Sequence, residues 1–282
     1  MPPALTLTEY TEPFSPWAWG SEGKLRRLRW AFGDRMRWRR VFIGAGAEQA
    51  PEAVARHTGM PTGVRPAAEE EESDIARRVV VACDLQGAAV GDRALRRLRE
   101  AFFLRGTRFT SIDDAFAVLD GTAGLSLAGL VTTLGSDLVV ERLRAQADEA
   151  ARPSLAVRLL EEIGEGAGTP WFHAGRWRYT APTLRLLGPG GEAFLAGWKP
   201  WDAYEEALRI AFGTTLPEWA APDASEVLAH FASMTDAEFE MICDRVVTVP
   251  RSAVRPDPGH AFWTLPTHSF PASDARARRG RT

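Results

Sequence analysis

The chain has 282 residues, 45% of them apolar, and a formal net charge of −3. That length and composition fit one large globular domain with an insertion, or two small ones, and exclude a largely disordered polypeptide. The slightly acidic balance argues against a dedicated binder of nucleic acid or of anionic membranes, although local basic patches remain compatible with it.

Residues 4–10 alternate apolar and polar with period two, as a strand does, and Pro13 ends the run. Ser15 then stands at a helix N-cap with Pro16 at the first helical position. From Trp19 to Phe32 the apolar positions Leu25, Leu28 and Phe32 predict an amphipathic helix that stops at Gly33 and Asp34. Met36 and Trp38 alternate with Arg35, Arg37 and Arg39, and Val41-Phe42-Ile43 completes a second strand. A strand-helix-strand unit of this kind has parallel strands and a right-handed crossover. Residues 47–72 read as a loop whose acidic run, Glu69 to Glu72, is either solvated or opens the next helix, where negative charge suits the N-terminus.

Between Ser73 and Gly164 the periodicity is helical throughout, as in Ile75, Val79, Ala82 and Cys83, or Ile112, Ala115, Phe116 and Leu119 after the N-cap Ser111. Residues 168–180 predict two strands joined at Ala174-Gly175. Gly188-Pro189-Gly190-Gly191 reads as a breaker ahead of a closing helix from Trp201 to Ala211, ended by Gly213. Asp223 with Glu226, and Thr235 with Glu238, have capping-box spacing and open two short helices. They do not make a DNA-reading pair, because Glu218 to Asp244 contains no Lys or Arg. The end from Arg251 is Pro-rich, then Arg-rich, and reads as a mobile tail in which Phe262-Trp263 is the candidate for docking.

The turn Glu12-Pro13-Phe14-Ser15-Pro16-Trp17-Ala18-Trp19 resembles the Asp-Pro-x-Cys-Pro-Trp-Cys-Trp turn of the DsbA-like, FrnE-like branch of the thioredoxin superfamily, with Ser15 and Ala18 in place of both cysteines. Ser followed by Pro, as in Ser15-Pro16, also resembles the kappa-class glutathione transferases and the 2-hydroxychromene-2-carboxylate isomerases, whose Ser hydrogen-bonds the thiol of bound glutathione. The resemblance implies an α/β, thioredoxin-like fold over residues 1–213, with an all-helical insertion at about 73–164. A C-terminal helical appendage (214–250) and a tail (251–282) follow. Gly168-Thr169-Pro170 resembles the family's cis-proline loop, and is preferred over Pro182 because it precedes the predicted hairpin.

By that resemblance Ser15 is the candidate catalytic residue, with Pro16, Trp17, Trp19, Thr169, Pro170 and Trp171 binding the ligand. The ligand would be a small-molecule thiol, glutathione or mycothiol, or a peptide-like chain, taken for conjugation or isomerisation. Mycothiol fits the Arg-, Ala- and Gly-rich composition, which suggests an actinobacterial source. Physically, a helix N-terminus favours a thiolate and lowers its pKa. A Ser at this position is equally an ordinary N-cap, and Trp more often packs in a core than lines a pocket.

Without Cys-x-x-Cys at the turn, no attacking and resolving thiol pair exists there. A redox-inactive binding or scaffold protein, or a residual oxidoreductase, is therefore the alternative reading. Cys83 and Cys243 lie far apart and read as small buried hydrophobes in a reducing cytoplasm. His57, after the second strand, is a candidate acid-base group. No metal spacing, phosphate loop or dinucleotide fingerprint occurs, so neither a metal nor a nucleotide cofactor is expected. The first residues have no secretory pattern and no apolar run spans a membrane, so a cytoplasmic location is expected.

Overall fold

The computed structural model describes residues 5–44, 51–63, 67–160, 168–173, 175–213, 216, 220–243 and 262–264. Strand β1 (Leu5–Thr11) leads into α1 (Pro16–Gly20) and α2 (Glu22–Phe32), then β2 (Met36–Phe42) and α3 (Pro51–Thr58). The predicted helix from Trp19 is thus two helices broken at Ser21, whose hydroxyl donates to the Trp17 carbonyl at 2.9 Å. β1 and β2 are parallel, in register from Leu5 opposite Met36 to Thr11 opposite Phe42.

The helical insertion comprises α4 (Glu70–Gln86), α5 (Ala88–Arg105), α6 (Ile112–Leu119), α7 (Leu127–Leu134), α8 (Asp137–Ala150) and α9 (Leu155–Arg158). The acidic run opens α4: Glu69 is its N-cap, and the Glu72 side chain reaches back to the Glu69 amide in a capping box.

Strands β3 (Trp171–His173) and β4 (Arg176–Arg178) pair with each other, and β5 (Thr183–Gly188) pairs with β6 (Gly191–Ala196). Helix α10 (Trp201–Phe212), α11 (Ala224–Phe231), β7 (Ser233–Thr235), α12 (Asp236–Cys243) and β8 (Phe262–Thr264) complete the order.

The main sheet runs β2-β1-β5-β6, with β5 antiparallel to both of its neighbours. This corrects the expectation for residues 168–180. Those strands form a separate two-stranded ribbon, and the hairpin that completes the main sheet is β5–β6, turned at Gly188–Gly191. The reason is burial. Leu184 and Leu186 are 1% and 0% exposed and pack with Leu5, Leu7, Leu28 and Leu208, whereas β4 carries Arg176 and Arg178 at the surface or half-buried.

Helices α2 and α10 cover one face of the sheet. On the other face Tyr10 stacks on Tyr179 and donates its hydroxyl proton to Glu149 of α8 at 3.0 Å. The C-terminal unit is docked. Arg27 of α2 donates to the Met241 carbonyl at 3.0 Å, and β8 pairs with β7, so Phe262 and Trp263 are held as anticipated. The rest of the predicted tail lies outside the described residues. Among the described residues no helix is long and apolar enough to cross a membrane.

Candidate functional site

The candidate site is the turn between β1 and α1, at the end of the sheet where β1 leaves its neighbours. Its backbone is fixed from below by the insertion. Phe14 is fully buried and stacks on Phe102 of α5 at 4.1 Å and on Phe109 at 5.2 Å. Arg99 of α5, 1% exposed, donates to the carbonyls of Pro13 and Glu12 and to the Thr11 hydroxyl, each at 3.0 Å, and pairs with Glu22. Glu12 accepts from Arg77 at 2.9 Å and from the Gly44 amide at 2.6 Å. Burial pushes the Glu12 carboxyl above its usual range even though Arg77 pulls the other way. For Glu22, burial acts in the same direction but is outweighed by Arg99, Arg96 and Arg26, which hold its carboxyl low.

Ser15 is the N-cap of α1, as its sequence position predicts, and its hydroxyl accepts from the Ala18 amide at 3.4 Å. It is 7% exposed. Trp17 is half-buried and meets the imidazole of His57 edge to face at 5.4 Å, and His57 in turn meets Trp198 at 4.6 Å. The structure therefore brings His57 to the turn. Trp19 goes to the core: it is 2% exposed, its indole N–H donates to the Pro61 carbonyl at 2.9 Å, and its ring stacks on Phe103. Of the residues expected to bind a ligand, Trp19 is thus the one whose ring is enclosed in the core.

The proline loop is also reassigned. The Ala181–Pro182 peptide is cis, and Thr169–Pro170 is not. Because Tyr10 pairs with Thr183, Pro182 sits at the start of β5 beside the strand that enters the turn. Its carbonyl accepts from the Gly197 amide at 2.7 Å. Residues 168–170 nevertheless run close by. Gly168 lies so tightly on the backbone of Ala196 and Gly197 that a Cβ there would come within 1.9 Å of it. Thr169 accepts from the Thr180 hydroxyl through its carbonyl at 2.8 Å, Pro170 is buried, and Trp171 is half-buried on the separate ribbon near Arg178.

Lys24 was not singled out by sequence reasoning. It is 4% exposed, its ammonium lies 3.5 Å from the Trp198 ring centroid and 5.8 Å from that of Tyr204, and among the described residues it has no hydrogen-bond partner. Burial pulls its pKa down to about 7. The sequence signal was its position in the helix: Lys24 stands one residue before Leu25 and four before Leu28, beside the buried stripe. Since the unfolded chain holds this proton up to about 10.5, stability should rise with pH from 7 upward as the folded state sheds it first. Lys24→Met is expected to raise the unfolding free energy at pH 7 and to flatten that rise, measured by urea unfolding across pH 7 to 10.

Neither cysteine belongs to the turn. Cys83 on α4 and Cys243 on α12 are both buried, and burial pushes the Cys83 thiol up to about 12. Iodoacetamide at pH 8 should leave both unmodified in the native protein and label them promptly in urea, as mass spectrometry will show. Among the described residues no group of three His, Cys, Asp or Glu side chains could hold a metal ion.

The β2-β1-β5-β6 sheet, the helical insertion after β2 and the cis-proline before β5 together define a DsbA-like thioredoxin fold whose β1–α1 turn carries Ser15 and Ala18. The same fold occurs in a protein from Nitrosomonas europaea assigned provisionally as a protein disulfide isomerase. That structure superimposes with a TM-score of 0.55 and 16% identity, over 72% of this chain and 95% of that one. The cytosolic disulfide reductase DsbM from Pseudomonas aeruginosa aligns with a TM-score of 0.49 and 17% identity, over 73% and 100% of the two chains. In sequence, the chain is 23% identical over 257 residues to the ClpXP adapter protein SpxH of Shouchella clausii, covering 85% of this chain and 78% of that one. No family model matches the sequence.

Proposed function

We propose that this chain is a redox-inactive binding protein, an adapter built on the DsbA-like frame. The observation that carries the reading is the fate of the sulfur. The turn holds Ser15 and Ala18, the Ser15 hydroxyl is engaged as an N-cap, and both cysteines are buried on α4 and α12. A dithiol exchange needs an attacking thiolate and a resolving thiol in reach of one another. What the frame retains is a turn fixed by Arg99, Glu12 and Arg77, a rigid platform rather than a reactive centre. The likeness to SpxH, described as an adapter of ClpXP, supports this reading.

The test has two parts. The purified protein should not accelerate the reduction of insulin disulfides by dithiothreitol, and it should bind purified ClpX in a titration followed by fluorescence anisotropy. Turnover in the first assay, or no binding in the second, would overturn the reading.

A second reading is favoured by one feature, the Ser15 hydroxyl at the N-terminus of α1 with the Pro182 loop alongside. In it the turn holds the thiol of glutathione or mycothiol for conjugation or isomerisation. The turn supplies backbone amides and a hydroxyl donor, and the cofactor supplies the sulfur. Each thiol should then change the fluorescence of Trp17, and Ser15→Ala should weaken that response. Silence in both proteins removes this reading.

A further inference from the structure

The arginine alternation of the second strand plays no part in the turn. Among the described residues β2 is an edge strand, bonded to β1 on one side only. Within a strand the N–H and C=O of one residue point the same way and successive residues alternate. The Ile43 amide donates to the Thr11 carbonyl of β1 at 3.1 Å, so odd-numbered residues face β1. Trp38, Arg40 and Phe42 therefore present their backbone groups outward.

One rung of that outer edge is already filled by a side chain. Gln146 of α8 accepts from the Phe42 amide at 3.2 Å and donates to the Arg40 carbonyl at 3.5 Å, as a neighbouring strand would. Beyond this rung a groove of about 400 Å³ opens between β2 and helices α4, α5 and α8. Trp38 and Arg40 line it, and by the alternation the N–H and C=O of Trp38 and the N–H of Arg40 point to this side of the strand.

The charge of the groove is uneven. Arg40 is neutralised by Asp92 and Asp84, and Arg39 by Glu149. Arg37 and Arg142 line the same groove, are exposed, and form no ion pair within 4.0 Å among the described residues. The chain as a whole is acidic, so this excess is local. The Arg-rich C-terminal residues of the chain itself have the wrong sign to fill it.

We propose that the outer edge of β2 docks an extended acidic segment of a partner protein, which adds a strand ahead of the Gln146 rung and sets its carboxylates against Arg37 and Arg142. Strand addition takes its affinity from the main chain and its selectivity from alternate side chains. The proposal rests on the reading of the chain as a binding protein and names the partner's chemistry.

A fluorescein-labelled octapeptide alternating Glu and Val should bind the full chain by anisotropy, and one alternating Lys and Val should not. The double variant Arg37→Glu/Arg142→Glu, at exposed positions, should keep the wild-type melting temperature and bind the acidic peptide about tenfold or more weakly. Bound peptide should slow exchange of the Trp38 and Arg40 amides by about tenfold. The assignment is overturned if the acidic peptide does not bind, if the double variant binds it equally well, or if binding leaves those amides unprotected. It is overturned too if a single-stranded oligonucleotide of equal charge competes as well as the peptide. Binding to ClpX, measured on the wild-type chain alongside the peptide, separates the outcomes. A chain that binds ClpX but not the acidic peptide refutes the groove alone, and one that binds the peptide but not ClpX refutes the adapter reading alone.

Discussion

Replacing Glu238 by alanine should destabilise the protein by about 3–5 kcal/mol, the range for removing one partner of a buried ion pair. Glu238 is 0% exposed at the start of α12. It accepts both guanidinium nitrogens of Arg96 from α5, at 2.6 and 2.9 Å, and the Thr235 amide at 2.7 Å, with Arg26 of α2 at 3.4 Å. Alanine leaves the Arg96 and Arg26 charges in the interior without this carboxylate, and removes the junction between the C-terminal unit and the rest of the molecule. Glu238→Gln keeps the shape and should lose less. Glu206→Ala, which breaks an exposed pair with Arg209, should cost under about 0.5 kcal/mol. Urea unfolding of the three variants measures the order, and equal losses for Glu238→Ala and Glu206→Ala would refute it.

The second large effect is expected for Arg99→Ala. Its guanidinium, nearly fully buried, meets acceptors on Thr11, Glu12, Pro13 and Glu22. Removal strands these acceptors and leaves Glu22 with weaker charge compensation, for a loss again of about 3–5 kcal/mol. The loss carries a pH signature. In the wild type the Glu22 carboxyl titrates below its unfolded value of 4.5, so its contribution is full above that value and disappears as pH falls through the folded one. Without Arg99 the folded value moves up, and acid unfolding followed by circular dichroism should occur at a higher pH. An unchanged acid midpoint would show that Arg99 acts by packing alone.

Much of the local structure was legible. Ser15 with Pro16 marked the start of α1, and Thr235 with Glu238 marked α12 through a capping box that forms as spaced, since these are contacts within one turn. The β5–β6 hairpin was not legible. Gly188-Pro189-Gly190-Gly191 reads equally as a breaker, and the buried stripe of Leu184 and Leu186 shows its meaning only beside β1. The choice of Pro170 over Pro182 failed for the same reason, because it depended on which hairpin joins the main sheet. Trp19 looked like a partner of Trp17 at the turn, but two positions along a helix rotate a side chain by about 200°, here from the half-buried rim into the core.

By itself the sequence determined that the redox turn has no sulfur, that a helical block interrupts an α/β frame, and that the two cysteines cannot form a pair at the turn. These follow from residue identity and local periodicity. Tertiary structure decided where the charges went. Arg96 and Arg99 are 7% and 1% exposed, because Glu22 and Glu238 arrive from distant parts of the chain to meet them. It also decided that Lys24 is buried against Trp198 and that the edge of β2 is left open beside Arg37 and Arg142. A charge can be placed only when its partners are known, and here those partners are set by long-range packing that no short window of sequence contains.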